Sequence, residues 1–219
     1  MKKVLLFIAL FVMPIVAYLF FASGVNSFIK LPVVTPNISE LPQWKSLSGN
    51  TVYLKNKITI LGFTGIDIPS IKGNFANLAH KIYSKNREFV DFQVVYIAPD
   101  GTQDAIQTEI DKLKRDIDFS SWDFVFADTH AIQQYYEQLQ LIGKLDAFYG
   151  TPLVYIIDKE LNLRGRKGKN KKGEEEYREG YNTTSAADLH NEMSDDVKVI
   201  LAEYRLALKK NNKVENVTE

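Results

Sequence analysis

The sequence ITILGFTGIDIPS at residues 58–70 decides the fold of this chain. Its first six residues form a run rich in β-branched and aromatic side chains, which is typical of a strand buried on both faces. Gly62, Thr64 and Gly65 then allow the backbone to turn, and a helical pattern follows. Because α/β proteins usually place their chemistry where a strand's carboxyl end meets a helix's amino end, this stretch is the first candidate for a functional site.

The composition limits the classes of function that are open to the chain. Its 219 residues suffice for one domain and a tether. The 27 basic and 27 acidic residues balance, so no global field points to nucleic acid or to strongly acidic substrates. The chain has no cysteine, which excludes disulfides, thiolate nucleophiles, thiol redox cycling and thiolate metal sites. We also find no motif for a cofactor and expect none.

The amino-terminal segment predicts a membrane anchor. After Lys2 and Lys3, residues 4–22 contain no charge, and a helix of this length would reach about 28 Å, close to the thickness of a bilayer core. A cleaved signal peptide is the alternative, although its apolar region is usually about 7–15 residues long. The lysines favour a cytoplasmic amino terminus, so we expect residues 1–24 to be a single-pass membrane anchor. The rest of the chain would then be extracytoplasmic, and periplasmic in a bacterium.

The remainder of the chain predicts one α/β domain at residues 51–210. Prolines and polar residues at 25–50 indicate a linker and entry segment, and residues 211–219 are expected to be a flexible tail. The hydrophobic periodicity predicts the order β-β-α-β-α-β-α-β-β-α. The predicted strands are 51–54, 58–63, 92–98, 122–127, 153–157 and 163–166. The predicted helices are 70–87, 103–117, one capped by residue 128 or 129, and one beginning at 183 or 184.

This order of elements, with Thr151 and Pro152 ahead of a hairpin, resembles the thioredoxin-like fold, which implies a mixed sheet flanked by helices. In that fold the proline is typically cis and faces the loop after the central strand. More narrowly, the chain resembles the Sco/SenC family of membrane-tethered copper and thiol proteins. The matching stretches are the amino-terminal anchor, Gly-Phe-Thr at 62–64, residues 94–99 and 122–128, and LVYIIDKELNLRG at 153–165.

The chain departs from that family at the residues that carry its chemistry. The family has two cysteines in a C-x-x-x-C arrangement just after the Gly-Phe/Tyr-Thr segment, where this chain has Ile66 and Ser70. The family's histidine falls at about Gly150. All three copper ligands are therefore absent. The resemblance implies the architecture and the location, but neither copper delivery nor disulfide reduction.

The residues that this fold would bring together form a candidate binding loop. They are Thr64, Gly65, Asp67, Ser70, Thr151 and Pro152. A nucleophilic serine needs a base in reach, and no motif ties Ser70 to any of the three histidines, so helix capping is its favoured role. The aspartates at 67, 91, 100, 104 and 128 could partly converge at one sheet edge, but their spacing matches no metal-binding motif.

A second feature is the polar excursion at residues 167–181, which begins within the basic run RGRKGKNKK at 164–172. Four glutamates, at 174, 175, 176 and 179, follow that run. A solvated, self-neutralising loop is the favoured interpretation. The alternative is a surface that docks on acidic lipid headgroups or on an acidic partner.

The sequence therefore predicts a membrane-tethered binding or assembly module with a protein partner in the cell envelope. Two alternatives stay open. The first is a metal carrier or enzyme that uses oxygen ligands such as Asp67 at the same loop, and the second is a structural relic that only positions its neighbours. Tight binding of copper or zinc that Asp67→Ala removes would favour the first alternative.

Overall fold

The computed structural model describes residues 10–16, 18, 30–169 and 173–215 of the chain. Residues 10–16 are helical, but most of the predicted anchor at 4–22 lies outside the described residues. Within the described part, no helix has the length and apolar composition needed to cross a bilayer. The tip of the basic run at residues 170–172 and the chain end at 216–219 also lie outside the described residues.

A mixed sheet lies at the centre of the molecule, and among the described residues it has seven strands. The strands are β1 (Val33–Thr35), β2 (Ile58–Thr64), β3 (Phe92–Pro99), β4 (Trp122–Ala127), β5 (Gly150–Ile157), β6 (Leu163–Arg164) and β9 (Tyr181–Asn182). Six of them run in the order β1-β6-β5-β2-β3-β4, and β9 lies beside β5. The strands β2, β3 and β4 are parallel, whereas β5 is antiparallel to β2, β6 and β9.

Helices follow each of the parallel strands, as predicted. A 3-10 turn leads into the first helix and π-helical turns interrupt the first and last helical segments. Asp128 caps the third helix by accepting a hydrogen bond from the Ala131 amide at 2.9 Å. In chain order the segments are the turn Ile68–Ile71, α1 (Lys72–Leu78), the π turn Ala79–Tyr83, Ser84–Asn86, α2 (Gln103–Leu113), α3 (Thr129–Gln138), Ala186–Asp188, the π turn Leu189–Met193 and α4 (Ser194–Glu215).

The core lies on both faces of the sheet, which explains why β2 is mostly apolar and carries no charged residue. All seven residues of β2 are buried. On one face the first helical segment, α2 and the last helical segment cover the sheet, and on the other face α3 and residues 38–54 cover it. Burial of each large apolar side chain contributes about 1.5–3 kcal/mol, so a strand buried on both sides is a natural centre for the domain. The predicted strand and its burial are confirmed.

Gly62 occupies the middle of β2 because a neighbouring ring fills the space beside it. A Cβ atom at position 62 would lie 2.3 Å from Cε1 of Tyr96 on β3. The Tyr96 ring therefore packs directly over the β2 backbone, and it stacks on Phe124 of β4 with ring centroids 5.8 Å apart. This arrangement ties the three parallel strands together on one face.

The folded unit begins earlier than the predicted boundary at residue 51. Leu31, Ile38 and Leu41 are buried, and β1 pairs with β6 in the sheet. Residues 31–50, which were predicted to be a linker and entry segment, are thus part of the domain. The prolines that flank β1 are compatible with a short strand at a sheet edge. At the other end, α4 continues to Glu215, so residues 211–215 of the predicted tail are helical.

The strand predicted at residues 51–54 does not form. Only Thr51 makes an isolated bridge, with Lys45, while Val52 and Leu54 are buried against the face that α3 covers. The carboxylate of Glu40 accepts hydrogen bonds from the Leu54 amide at 2.7 Å and from the amide of the next residue at 2.9 Å. A side chain therefore satisfies the amides that a neighbouring strand would otherwise satisfy.

The polar excursion at 167–181 is not a loop. It contains a β-hairpin made of β7 (Arg166–Lys169) and β8 (Glu175–Arg178), followed by β9. The sequence analysis favoured a solvated, self-neutralising loop here and did not predict the hairpin. Charged side chains of this segment find partners on the last helical segment, which the local sequence does not reveal.

Candidate functional site

The candidate site lies where the carboxyl end of β2 meets the amino end of β5. Thr64 pairs with Gly150 across the two strands. Gly65 has a φ of +69°, and a Cβ atom there would lie 2.9 Å from both Gly150 Cα and Phe148 O. Only glycine fits this close approach of two backbones. The Ile66 amide then donates to Phe148 O at 3.0 Å, so the two loops are joined as one surface.

Two apolar side chains are exposed on this surface. Ile66 is 50% exposed and Phe148 is 60% exposed, although each is carried by a backbone that is hydrogen-bonded to the other. Exposed apolar side chains cost free energy in water, and two of them on backbones joined by a hydrogen bond are candidates for a contact site. Ile66 stands at the position where the resemblance places a cysteine. We call the surface formed by Ile66 and Phe148 the apolar pair.

The loop that carries Phe148 is fixed by Asp146. Its Oδ1 accepts the amides of Phe148 at 2.8 Å and Gly150 at 2.9 Å, and its carbonyl accepts the Tyr149 amide at 3.1 Å. Tyr149 has a φ of +62°, which is uncommon for a residue with a side chain. This turn therefore holds Phe148 outward rather than allowing it to fold into the core.

Asp67 and Ser70, two residues of the candidate binding loop, lie at this end of the sheet. Both are exposed. The Ser70 hydroxyl donates to Asp67 O at 2.8 Å from inside the 3-10 turn, and neither side chain caps that turn. The expected capping role of Ser70 is therefore wrong, because its hydroxyl bonds back to a carbonyl instead of accepting an amide.

Thr151 and Pro152 lie opposite the end of β2, with Thr151 paired to Phe63. Pro152 is exposed inside β5, and no peptide bond among the described residues is cis, so the cis proline that the resemblance implies is not present there. Its carbonyl accepts both the amide of Thr183 at 2.9 Å and the Thr183 hydroxyl at 2.6 Å. No hydrogen bond or ion pair joins Asp67 to Pro152 in the described part. The loop after β2 and the loop before β5 meet instead at the close approach of Gly65 to Gly150.

A buried carboxylate behind the site was not predicted. Glu179 is only 8% exposed, and it accepts the amides of Ile142 at 2.9 Å and Gly143 at 2.7 Å together with the Tyr177 hydroxyl at 2.8 Å. Burial and the hydrogen bond to this carboxylate raise the pKa of Tyr177 to about 12. Glu179 thus fixes the loop that precedes Phe148. The sequence gives no signal for this role beyond a glutamate beside a glycine.

The ionisable groups near the site do not form an acid–base pair. The hydroxyls of Tyr136 and Tyr155 lie 2.9 Å apart behind Phe63, and burial raises the pKa of both, so both stay neutral at pH 7. The three histidines, at 80, 130 and 190, are exposed on three different helical segments. Within the described residues, no group of three or more His, Cys, Asp or Glu side chains could hold a metal ion.

No protein family model matches the chain, and no curated protein matches its sequence. Among solved structures, BsSco, a member of the Sco family of cytochrome c oxidase assembly proteins, aligns with a TM-score of 0.57 at 12% identity, over 78% of this chain and 97% of that chain. The fold is thioredoxin-like. The thioredoxin domain of a thiol-disulfide oxidoreductase from Bacteroides vulgatus aligns with a TM-score of 0.48 at 16% identity, over 75% of this chain and 98% of that chain. ScoI from Bradyrhizobium japonicum, solved with copper bound, aligns with a TM-score of 0.46 at 15% identity, over 75% and 99% of the two chains.

The resemblance stated from the sequence is confirmed at the level of the fold. The chain has a mixed α/β thioredoxin-like architecture with helices on both faces of the sheet, and Sco proteins are among its structural neighbours. It has no cysteine anywhere. The apolar pair and the closely packed glycines Gly65 and Gly150 occupy the end of the sheet where the resemblance places reactive residues.

Proposed function

We propose that this chain is a membrane-tethered, extracytoplasmic thioredoxin-like module that acts by binding a protein of the cell envelope, without thiol or copper chemistry. The observation that carries the proposal is the apolar pair. Ile66 and Phe148 are half or more exposed, while the close approach of Gly65 to Gly150 and the hydrogen bonds of Asp146 hold the backbones that carry them. A rigid apolar surface loses little conformational freedom when a partner covers it, which favours binding.

The partner we propose is a membrane-protein complex under assembly. BsSco belongs to a family of assembly proteins for cytochrome c oxidase, and the present chain shares its fold. The uncharged segment at 4–22 supports a tether that would keep the module close to such a complex. The lack of cysteine supports a role in contact rather than in electron or metal transfer.

Site-specific photocrosslinking in native membranes tests the proposal. A photoreactive phenylalanine analogue replaces Phe148 in the full chain, and the matched control carries the same analogue at Val90, which is 88% exposed. We expect a discrete crosslinked product from position 148 and none from position 90. Adding Ile66→Asp should reduce the product by about 10-fold or more, because a charge would have to be buried in the contact.

Two results would contradict this proposal. Identical crosslinking from positions 148 and 90, or a product that Ile66→Asp leaves unchanged, would show that the apolar pair is not a binding surface. Uptake of copper or zinc by the chain, abolished by Asp67→Ala, would favour the metal carrier instead. The location is tested separately with Val90→Cys, which a membrane-impermeant maleimide should label in intact cells because the proposed location is extracytoplasmic. The chain has no cysteine of its own, so labelling would report position 90 alone.

A further inference from the structure

The hairpin β7–β8 projects from one side of the sheet as an arm. The strands β6 and β9 both pair with β5, at Ile156–Ile157 and at Leu153–Val154 respectively, and the arm is inserted between them. Its strands pair from Arg166 opposite Arg178 to Lys169 opposite Glu175. We call residues 166–169 and 175–178 the arm.

The inner face of the arm is bound to the last helical segment. Arg166 forms ion pairs with two acids of that segment, Asp196 at 2.8 Å and Glu192. It also pairs with Glu176 of the arm itself at 3.0 Å. Arg178 pairs with Asp188 at 2.6 Å. Arg166 and Arg178 are therefore neutralised, and their ion pairs fix the orientation of the arm relative to the last helical segment.

The outer face of the arm is exposed and carries unpaired lysines. Lys167 lies opposite Tyr177, and Lys169 lies opposite Glu175. Both lysines are exposed, and neither forms an ion pair with another described residue. Tyr177 is 45% exposed beside them. Lysine next to an amphipathic aromatic ring is a combination suited to the interface between water and lipid headgroups.

The base of the arm touches the point where the amino-terminal chain enters the domain. Leu31 O accepts a hydrogen bond from Arg164 Nε at 2.8 Å, and Pro32 O accepts the Gly165 amide at 3.0 Å. Only residues 23–30 separate this point from the uncharged segment at 4–22. Fully extended, eight residues span at most about 29 Å. A bilayer that held the segment would thus lie within reach of the arm.

We propose that the outer face of the arm docks on acidic lipid headgroups and so fixes the orientation of the domain on the membrane. This inference rests on the proposed membrane tether. Each lysine near an anionic surface should favour the docked state by roughly fivefold. The tether makes docking intramolecular, so two lysines suffice where a free domain would need a larger basic patch.

The experiment uses the full chain reconstituted in lipid vesicles, either neutral or with roughly one third acidic lipid. A spin label on Glu175→Cys reports the outer face of the arm, and one at the exposed position Ala105→Cys of α2, which covers one face of the sheet, is the control. We expect the label at 175 to be shielded from a water-soluble relaxation agent only with acidic lipid. Lys167→Gln/Lys169→Gln should lower the docked-to-undocked ratio by roughly 25-fold, whereas Lys72→Gln/Lys85→Gln should not.

The outcomes separate the arm from the tether. If the chain fails to float with neutral vesicles, the tether is refuted and the arm proposal falls with it. If it floats but the label at 175 stays as accessible as the label at 105, only the arm proposal is refuted. Equal shielding in neutral lipid would refute acidic headgroups as the ligand. Shielding in native membranes but not in lipid vesicles would assign the arm to an acidic protein partner and also overturn the proposal.

Discussion

Replacing Arg164 with methionine should be among the most destabilising single changes in this domain. The Arg164 side chain is 7% exposed and pairs with Asp158 at 3.0 Å and Glu203 at 3.0 Å. It also donates to Leu31 O, and so connects the end of the sheet, α4 and the entry of the chain. Although burial by itself lowers the pKa of Arg164, its hydrogen bonds to Glu203 and Asp158 outweigh this and raise it, so the group is charged at all ordinary pH values.

The expected loss follows from what methionine leaves behind. Removing one member of a buried ion pair typically costs about 3–5 kcal/mol, because the remaining charge is desolvated without a partner. Asp158 keeps the amides of Glu160 and Asn162 as donors, and Glu203 keeps the Leu31 amide. We therefore expect a loss near the lower limit, about 3 kcal/mol. That is a large part of the roughly 5–15 kcal/mol by which a domain is stable.

Urea unfolding followed by tryptophan fluorescence measures this loss, since Trp122 is buried in the core. With a slope of about 2 kcal/mol per molar urea, the midpoint should fall by about 1.5 M. Arg87→Met is the matched control, because Arg87 pairs with Asp118 at the surface and should cost less than about 1 kcal/mol. Adding Glu203→Gln to Arg164→Met should restore part of the loss. Equal midpoints for Arg164→Met and Arg87→Met would refute the reasoning.

Two further predictions concern the glycine contact and a half-buried acid. Gly65→Ala should lower the free energy of unfolding by about 1–3 kcal/mol more than Gly101→Ala does. Both glycines have a positive φ, but only at position 65 would a Cβ atom meet backbone atoms. Equal urea midpoints for the two variants would disprove the close approach. Burial raises the pKa of Asp123, so ionisation destabilises the fold increasingly as the pH rises above about 4, the unfolded value. Asp123→Asn should therefore raise the melting temperature at pH 7 and leave it nearly unchanged at about pH 3. A larger gain at pH 3 than at pH 7 would contradict a raised pKa of Asp123.

The parts of the fold that the sequence predicted are those that local patterns determine. The strand at β2 and the four helical segments follow from β-branched runs and from helical periodicity, and the structure confirms them. Strand β1 was missed because it is three residues long and lies between prolines. The strand expected at residues 51–54 does not form, although its local pattern is typical of a strand. Its apolar pattern is real and its side chains are buried, but Glu40 supplies the hydrogen bonds that define a strand.

The sequence located the residues of the candidate binding loop, but it did not predict the exposed apolar side chains beside them. The turn chemistry of Gly65 and the resemblance located the surface, because glycine at a strand end points to a close backbone approach. The exposure of Ile66 and Phe148 depends on a contact between residues 82 positions apart, which no local pattern encodes. Glu179 was missed for the same reason, since its three donors come from two separate segments. The structure of the arm likewise depends on acids that lie 10 to 30 positions further along the chain than Arg166 and Arg178. A count of charges along the sequence does not show which acid pairs with which arginine.

The packing of Tyr96 over Gly62 limits which substitutions these two positions can accept during evolution. A side chain at position 62 would need the space that the ring now fills, so neither residue can be exchanged alone without a penalty. Positions 62 and 96 should therefore covary among related sequences. In any descendant where position 62 gains a side chain, position 96 is expected to have become smaller in compensation.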